Sequence, residues 1–509
     1  MYRQLLKIAG DAFQAARGKP LAPLDGRDIG LGGKHATAAL LVVMLILGFA
    51  LRLGLAATLP SVYFPDETFQ YWEQGYRLVF GYGIVPWEYR LGIRSWVVPG
   101  FIGGVMGLVH QLGGGPAISK LAVQALLSIA SLGIVVTAFA WTRRLSGDGA
   151  AVLAAFVASF WYEFVYFSPK PLTEIIAASA LFPAAYLLCA LPDPSRRAVV
   201  SGGLLLGVAF VLRFHLAPAI LVIGLATMLR LRTPRWAMAA AAGVVVVLLA
   251  GLLDWITWGI PFHSFWQSVA INMIEGRAAT FGTQPVFWYF LLYANAWPGI
   301  AIILLALILV GARRAPLLFL VPLVILVSHS LIGHKEYRFL YPGLPFLMTL
   351  ASIGAAELFA LTTRTLSVPE RRLAFAALVL TWLLTTLTIA GTDGFRPNWT
   401  KRADLITLFD KVRDAPDACG LGLQGEFWWD TPGYSALGRK LPMYFIRRDE
   451  YARVGPAFNL LIHRDDDAHN LPAEFEDLQC EGGFCLAMRA GSCAPQPDEE
   501  ILVEMQDWT

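Results

Sequence analysis

Phe64-Pro65-Asp66-Glu67-Thr68-Phe69-Gln70-Tyr71-Trp72-Glu73 interrupts a chain that is 56% hydrophobic and only 15% charged. It follows an apolar run at about 37–59, long enough to cross a bilayer as a helix. Trp87-Glu88-Tyr89 and Ile93-Arg94-Ser95 come soon after it. Adjacent carboxylates among aromatic residues just outside a span are costly near lipid, and they persist where chemistry or transport needs them. The run therefore ends the first membrane segment and marks where to look for a reaction. Asp66 opens a helix predicted over about 67–79, where an acid suits the first turn.

Further apolar runs lie at about 118–142, 149–167, 172–191, 198–213, 216–230, 237–257, 287–311, 315–333, 340–361 and 373–391. Arginines gather at Arg143-Arg144, Arg196-Arg197, Arg230/Arg232/Arg235, Arg313-Arg314 and Arg364/Arg371/Arg372. With the N-terminus inside, all five groups fall on the cytoplasmic side. The expectation is an α-helical polytopic membrane protein with about 11 spans and its C-terminus outside. The apolar stretch from Val97 to Leu112 would break that parity if it crossed. It is read as a surface or re-entrant helix within a long first outer loop, about 60–117. The short runs that meet at Arg213-Phe214-His215 line a cavity or form an outer hairpin whose arginine snorkels.

Three regions result: an N-terminal cytoplasmic or interfacial segment, 1–36; a membrane domain, 37–391; and an outer domain, 392–509. Tyr2 to Arg17 reads as an amphipathic helix on the membrane surface or as a solvated tail, and not as a removed signal peptide. The net charge of +3 reflects loop arginines and implies no nucleic-acid partner. The polar tail holds Cys419, Cys480, Cys485 and Cys493. An oxidising compartment favours one or two disulfides there, with all pairings open, and the spacing does not resemble a zinc knuckle. Cys189, inside a span, reads as a small buried hydrophobe. Strand-like pieces at Ala457 to Ile462 and Phe484 to Arg489, and a helix-like piece at Asn398 to Val412, suggest a small α+β domain.

Under this topology the polar residues hardest to explain structurally collect on the outer side. The first loop supplies Asp66, Glu67, Gln70, Glu73, Trp87, Glu88 and Arg94; later loops supply Lys170 and Glu174, Arg213 and His215, Asp254, Asn272 and Gln284. The last is His334-Lys335-Glu336-Tyr337-Arg338. A carboxylate can take a proton from a hydroxyl nucleophile, and basic groups can stabilise a departing phosphate. No Gly-rich phosphate loop follows a strand, so an activated sugar would arrive on a membrane lipid phosphate rather than on a nucleotide.

Three ordered motifs carry a resemblance to glycosyltransferase family 22, a branch of the GT-C membrane enzymes. Phe64-Pro65-Asp66-Glu67, Phe69-Gln70, Glu73, Trp87-Glu88 and Arg94-Ser95 resemble its first-loop pattern. His334-Lys335-Glu336-Tyr337-Arg338-Phe339 resembles its His-Lys-Glu-x-Arg-Phe run. Asp254, Trp258-Gly259, Asn272, Phe281-Gly282-Thr283-Gln284-Pro285 and Trp288-Tyr289 make the third. That family includes the mannosyltransferases of GPI-anchor and dolichol-linked oligosaccharide assembly. The resemblance implies a GT-C fold and inverting transfer of a sugar, mannose, from a polyprenyl-phosphate donor to a lipid-linked glycan or glycolipid, without metal or cofactor. It also implies that Asp66 is the catalytic base, with Glu67 assisting. Phe64 stands where the family has His, and Ser168 to Glu174 is a weakened form of a family pattern.

The remaining candidates are substrate contacts: Gln70, Glu73, Trp87, Glu88, Arg94, Lys170 and Asn272, with Arg213, His215, His334, Lys335 and Arg338 for the phosphate and Glu336 and Tyr337 beside them. Each has an ordinary structural counterpart, such as a helix cap at Asp66, a solvated face at Glu73 or a head-group anchor at His334-Lys335. Ala/Arg-rich usage suggests a bacterial inner membrane with the active site on the periplasmic side. The rival readings are a transferase with a protein acceptor and a lipid-linked-glycan transporter. The transporter predicts internally repeated helices, which the sequence does not display.

Overall fold

The computed structural model describes residues 23–425, 428–447, 450–466 and 471–504. The expected surface helix at Tyr2 to Arg17 lies outside the described residues. Contacts divide the chain into two units, one of residues 1–53 and 126–395, the other of 54–125 and 396–509.

The first unit is helical, and its apolar runs fold as expected from composition. Among the described residues, five helices are long and apolar enough to cross a membrane: Lys34–Thr58, Pro116–Ser146, Thr233–Trp258, Tyr337–Thr362 and Val368–Ala390. Trp288–Ala296 and Ala301–Ala312 make a sixth if they form one span bent by 107°. Shorter apolar helices occupy Asp148–Phe160, Thr173–Cys189, Phe214–Arg230 and Pro316–Ser330. Each of the eleven apolar runs is thus helical, and five or six of the helices are long and apolar enough to cross a bilayer.

Packing in this unit relies on small residues, since apolar side chains gain little by leaving lipid for protein. A Cβ built on Gly354 would lie 2.0 Å from the Leu307 carbonyl oxygen, and one on Gly311 would lie 2.2 Å from that of Leu350. The backbones of Ala301–Ala312 and Leu344–Thr362 therefore touch. Arg52 is a further tie. Buried in the first long helix, it donates to the carbonyls of Ser159 at 2.8 Å and Ala158 at 3.0 Å and to Ser168 Oγ at 3.2 Å. It satisfies backbone acceptors at the end of Asp148–Phe160 that lack helical partners.

The second unit joins the first loop to the C-terminal tail. In the loop, Val97–Gln111 is 15 residues long, and its Gly103 closes on the carbonyl of Gly75 in helix Glu73–Phe80. The tail builds a five-stranded sheet from β1 (Leu421–Gln424), β2 (Met443–Ile446), β3 (Leu460–Arg464), β4 (Glu476–Glu481) and β5 (Phe484–Met488). Their order is β2-β1-β3-β5-β4. β1 pairs in parallel with both β2 and β3, and β5 runs antiparallel to β3 and β4. Helix Ala403–Asp414 buries Leu405, Leu408, Phe409 and Val412. Disulfides join Cys419 to Cys493 and Cys480 to Cys485. Cys189 is unbridged, with its Sγ 3.5 Å from Thr227 Oγ1.

Candidate active site

The acidic group stands in the second unit. The helix expected from Asp66 onward forms, but its first turn, Glu67–Trp72, is π-helical before continuing as α over Glu73–Phe80. Such wide turns are rare and recur at functional sites. Asp66 has helical backbone angles and makes no side-chain capping hydrogen bond, so the helix-cap reading does not account for it.

The other acids of the helix face inward. Glu67 is buried, and its Oε2 accepts from the Tyr63 N–H at 3.0 Å. Glu73 is fully buried and accepts from three backbone N–H groups: Ile84 at 2.9 Å, Tyr434 at 3.1 Å and Ser435 at 2.8 Å. Burial pushes its proton affinity up, and those three donors partly offset this. Gly433 has φ +71° and comes so close that a Cβ would lie 2.7 Å from Glu73 Oε2. Glycine is needed there for both reasons.

Asp66, Gln70 and Arg94 all act on Glu88. Gln70 Nε2 donates to Glu88 Oε1 at 2.8 Å, and the Tyr89 hydroxyl donates to the Gln70 carbonyl at 3.1 Å. Glu88 sits in the short helix Trp87–Arg90, behind the half-buried Trp87. Burial pushes the Glu88 carboxyl up to about 7, the Asp66 charge adds to this, and Arg94 opposes it. A buried acid next to a second carboxylate holds its proton near neutrality.

The basic group stands in the first unit. Arg213 terminates helix Arg196–Leu212 with extended backbone angles and turns to the buried Glu174, Nη2 to Oε1 3.2 Å. Arg338 lies 3.6 Å from the same oxygen and forks onto Glu336, with Nε to Oε2 at 2.8 Å and Nη2 to Oε1 at 3.2 Å. His334 Nε2 meets Glu336 Oε1 at 3.1 Å, and that hydrogen bond raises the imidazole's proton affinity. The Phe339 ring lies under both guanidinium groups, 4.9 Å from Arg213 and 5.6 Å from Arg338. Lys335 donates to the Gln284 carbonyl at 3.0 Å, and Lys170 lies 4.7 Å over the Tyr166 ring.

The other candidates of this unit have their own partners. The His215 ring stacks on Phe214 with centroids 4.0 Å apart. Asn272 donates to Ser268 Oγ at 3.3 Å, one turn back along its own helical segment. Asp254 accepts from both the N–H and the hydroxyl of Ser264, at 2.9 and 2.6 Å, and so fixes the start of helix His263–Ser268. Tyr337 donates to Glu163, which the sequence reading passed over. Its carboxylate also accepts from Trp161 Nε1 at 2.6 Å and Trp297 Nε1 at 3.2 Å. An acid inside the run 149–167 was the signal that could have found it.

Comparisons with known proteins bear on the fold and the family. Two solved structures of ArnT from Cupriavidus metallidurans share the fold. The apo form superposes with a TM-score of 0.57 over 90% of this chain and 99% of that one; the form bound to undecaprenyl phosphate gives 0.56 over 91% and 100%; both are 14% identical. GPI mannosyltransferase 3 of Yarrowia lipolytica is 27% identical over 470 residues, which span 90% of this chain and 87% of that enzyme. The human GPI alpha-1,2-mannosyltransferase 3 is 25% identical over 62% of this chain, and the match spans only 58% of its own length. These relatives are eukaryotic, so they lend no support to a bacterial source. The model of the Alg9-like mannosyltransferase family matches residues 43–420. The chain is a helical glycosyltransferase of the GT-C type and belongs to the Alg9-like mannosyltransferase family.

Proposed function

We propose that the chain transfers mannose from a polyprenyl-phosphate donor to a hydroxyl of a lipid-linked glycan or glycolipid, with inversion, on the membrane face away from the cytoplasm. The observation that carries this reading is the pairing of Asp66 with Glu88. Glu88 is the deeper acid, pushed up to about 7 by burial and by the Asp66 charge; Asp66, at a helix N-terminus, is the carboxylate we assign to accept the hydroxyl proton. A base beside a hydroxyl is what the acceptor needs, while the donor's phosphate is already a weakly basic leaving group. Arg213 and Arg338 provide that phosphate with charge-assisted donors. Lys170 and Lys335 add positive charge to the same unit, and the Glu336 hydrogen bond raises the proton affinity of His334. Eleven crossings, with the first loop and tail both outside, are the topology we attach to this reading. The arginine clusters support its extracytoplasmic side, and composition alone supports the bacterial inner membrane.

The test is reconstitution of purified protein with polyprenyl-phospho-mannose and a membrane glycolipid extract, alongside Asp66→Ala. Transfer is expected to fall by about 10³-fold, the usual worth of a positioned base. Transfer surviving in the variant would remove Asp66 from the role. Mannose appearing on protein instead of lipid would redirect the acceptor.

A further inference from the structure

The tail domain carries an arrangement that transfer itself does not use. β1 is a parallel strand whose two neighbours, β2 and β3, lie on opposite sides of it. Where strand order reverses, the loops leaving the carboxyl ends diverge and leave a crevice, the preferred ligand position in open parallel sheets. The loop leaving β1 at this point bears Trp428, Trp429 and Asp430.

Three observations indicate that this loop is built to hold something. Trp429 leaves 38% of its surface exposed and stands edge-on to Trp428 with centroids 5.5 Å apart. The Trp428 indole N–H is buried without a hydrogen-bond partner among the described residues, a condition native proteins rarely leave unexplained. Asp430 pairs with Arg402, a non-glycine residue held at φ +66°. Such left-handed strain in a bulky residue persists where the surroundings impose it and clusters at ligand clamps. Both members of this ion pair are partly exposed and can offer hydrogen bonds to hydroxyl groups.

The same loop reaches the reactive helix turn. Trp428 packs edge-to-face on Phe69, centroids 4.8 Å apart, and Phe69 lies three residues after Asp66 within the π-helical turn. An exposed ring for the apolar face of a pyranose, beside a polar pair for its hydroxyls, suits a saccharide better than a lipid chain or a peptide.

We propose that Trp429, with Trp428 and the Arg402–Asp430 pair, is the acceptor-saccharide subsite of this enzyme. The inference rests on the transferase reading and adds which residues select the acceptor. A sugar seated on Trp429 is held by a loop in direct contact with the segment that carries Asp66, so acceptor selection and proton transfer share one support.

The experiment uses full-length protein in nanodiscs with octyl α-mannobioside as acceptor probe and polyprenyl-phospho-mannose as donor. Trp429→Ala is expected to raise the acceptor KM about tenfold, as loss of an aromatic anchor does, while the donor KM stays within about twofold. Trp429→Phe should recover most of the loss, which rules out misfolding as the cause. An unchanged acceptor KM, or equal loss for donor and acceptor, overturns the proposal. A second arm omits the donor and reads saturation-transfer NMR from protein to the ring protons of the probe. If wild type transfers nothing, the transferase reading fails, and this arm still decides the subsite. Ring saturation present in wild type and lost in Trp429→Ala upholds it; none in wild type overturns it.

Discussion

The first-loop acids and the basic group of the membrane unit use opposite solutions to the same problem, how to keep charge in a poorly solvated place. Around the first loop, carboxylates meet neutral donors: Tyr63 N–H for Glu67, three backbone N–H groups for Glu73, and the Gln70 amide for Glu88. Neutral donors steady an acid without cancelling its charge, so its proton affinity stays adjustable. In the basic group of the membrane unit, Glu174 and Glu336 meet cations directly. Arg213 and Arg338 converge on Glu174, and Arg338 also forks onto Glu336. The first arrangement suits moving a proton, and the second suits holding an anion.

Three substitutions would break or sharpen that contrast. The largest effect is expected from Arg213→Ala, with about 10²-fold lower kcat/KM, the usual worth of one donor to developing charge. The loss should appear with donor concentration and leave the acceptor KM unchanged; an acceptor-only defect would undo the contrast. Glu73→Ala leaves three buried N–H groups without an acceptor and should cost about 3 kcal/mol. Limited proteolysis should then release the tail domain, and unaltered protease resistance would count against the clamp.

Glu88→Gln is expected to have the smallest effect, and its sign depends on pH. An acid whose folded pKa is raised to about 7 favours the folded state fully below its unfolded value, and that stability is lost as pH rises through 7. The amide variant keeps a neutral group at every pH. Its unfolding midpoint should exceed wild type by about 2 °C at pH 8 and match it at pH 5. A gain that is independent of pH would mean that Glu88 does not hold the proton.

Much of this was legible in the sequence because its signals are local. Apolar length and arginine placement need only a window of about twenty residues to announce a helix or its end. Hence the eleven helical runs, the break at Arg213 and the helix after Asp66 were all visible. The pairings were not. Nothing near Glu73 announces Tyr434 and Ser435, and four cysteines do not declare their partners. Arg52 and Glu163 hid inside apolar runs, where hydropathy averaging dilutes a single charge. The π-helical turn was also invisible, since its residues would serve an α-helix as well.

The Glu73 clamp has a consequence in time. Its acceptor is synthesised 361 residues before the Tyr434 N–H that it binds and 362 before that of Ser435. At ordinary translation rates of about 5–20 residues per second, the first loop waits on the order of twenty to seventy seconds for its last hydrogen bonds. Until then a carboxylate suited to burial stands in an unfinished site. The newly inserted enzyme is therefore expected to become active only after Tyr434 and Ser435 have emerged and the domain that carries them has folded.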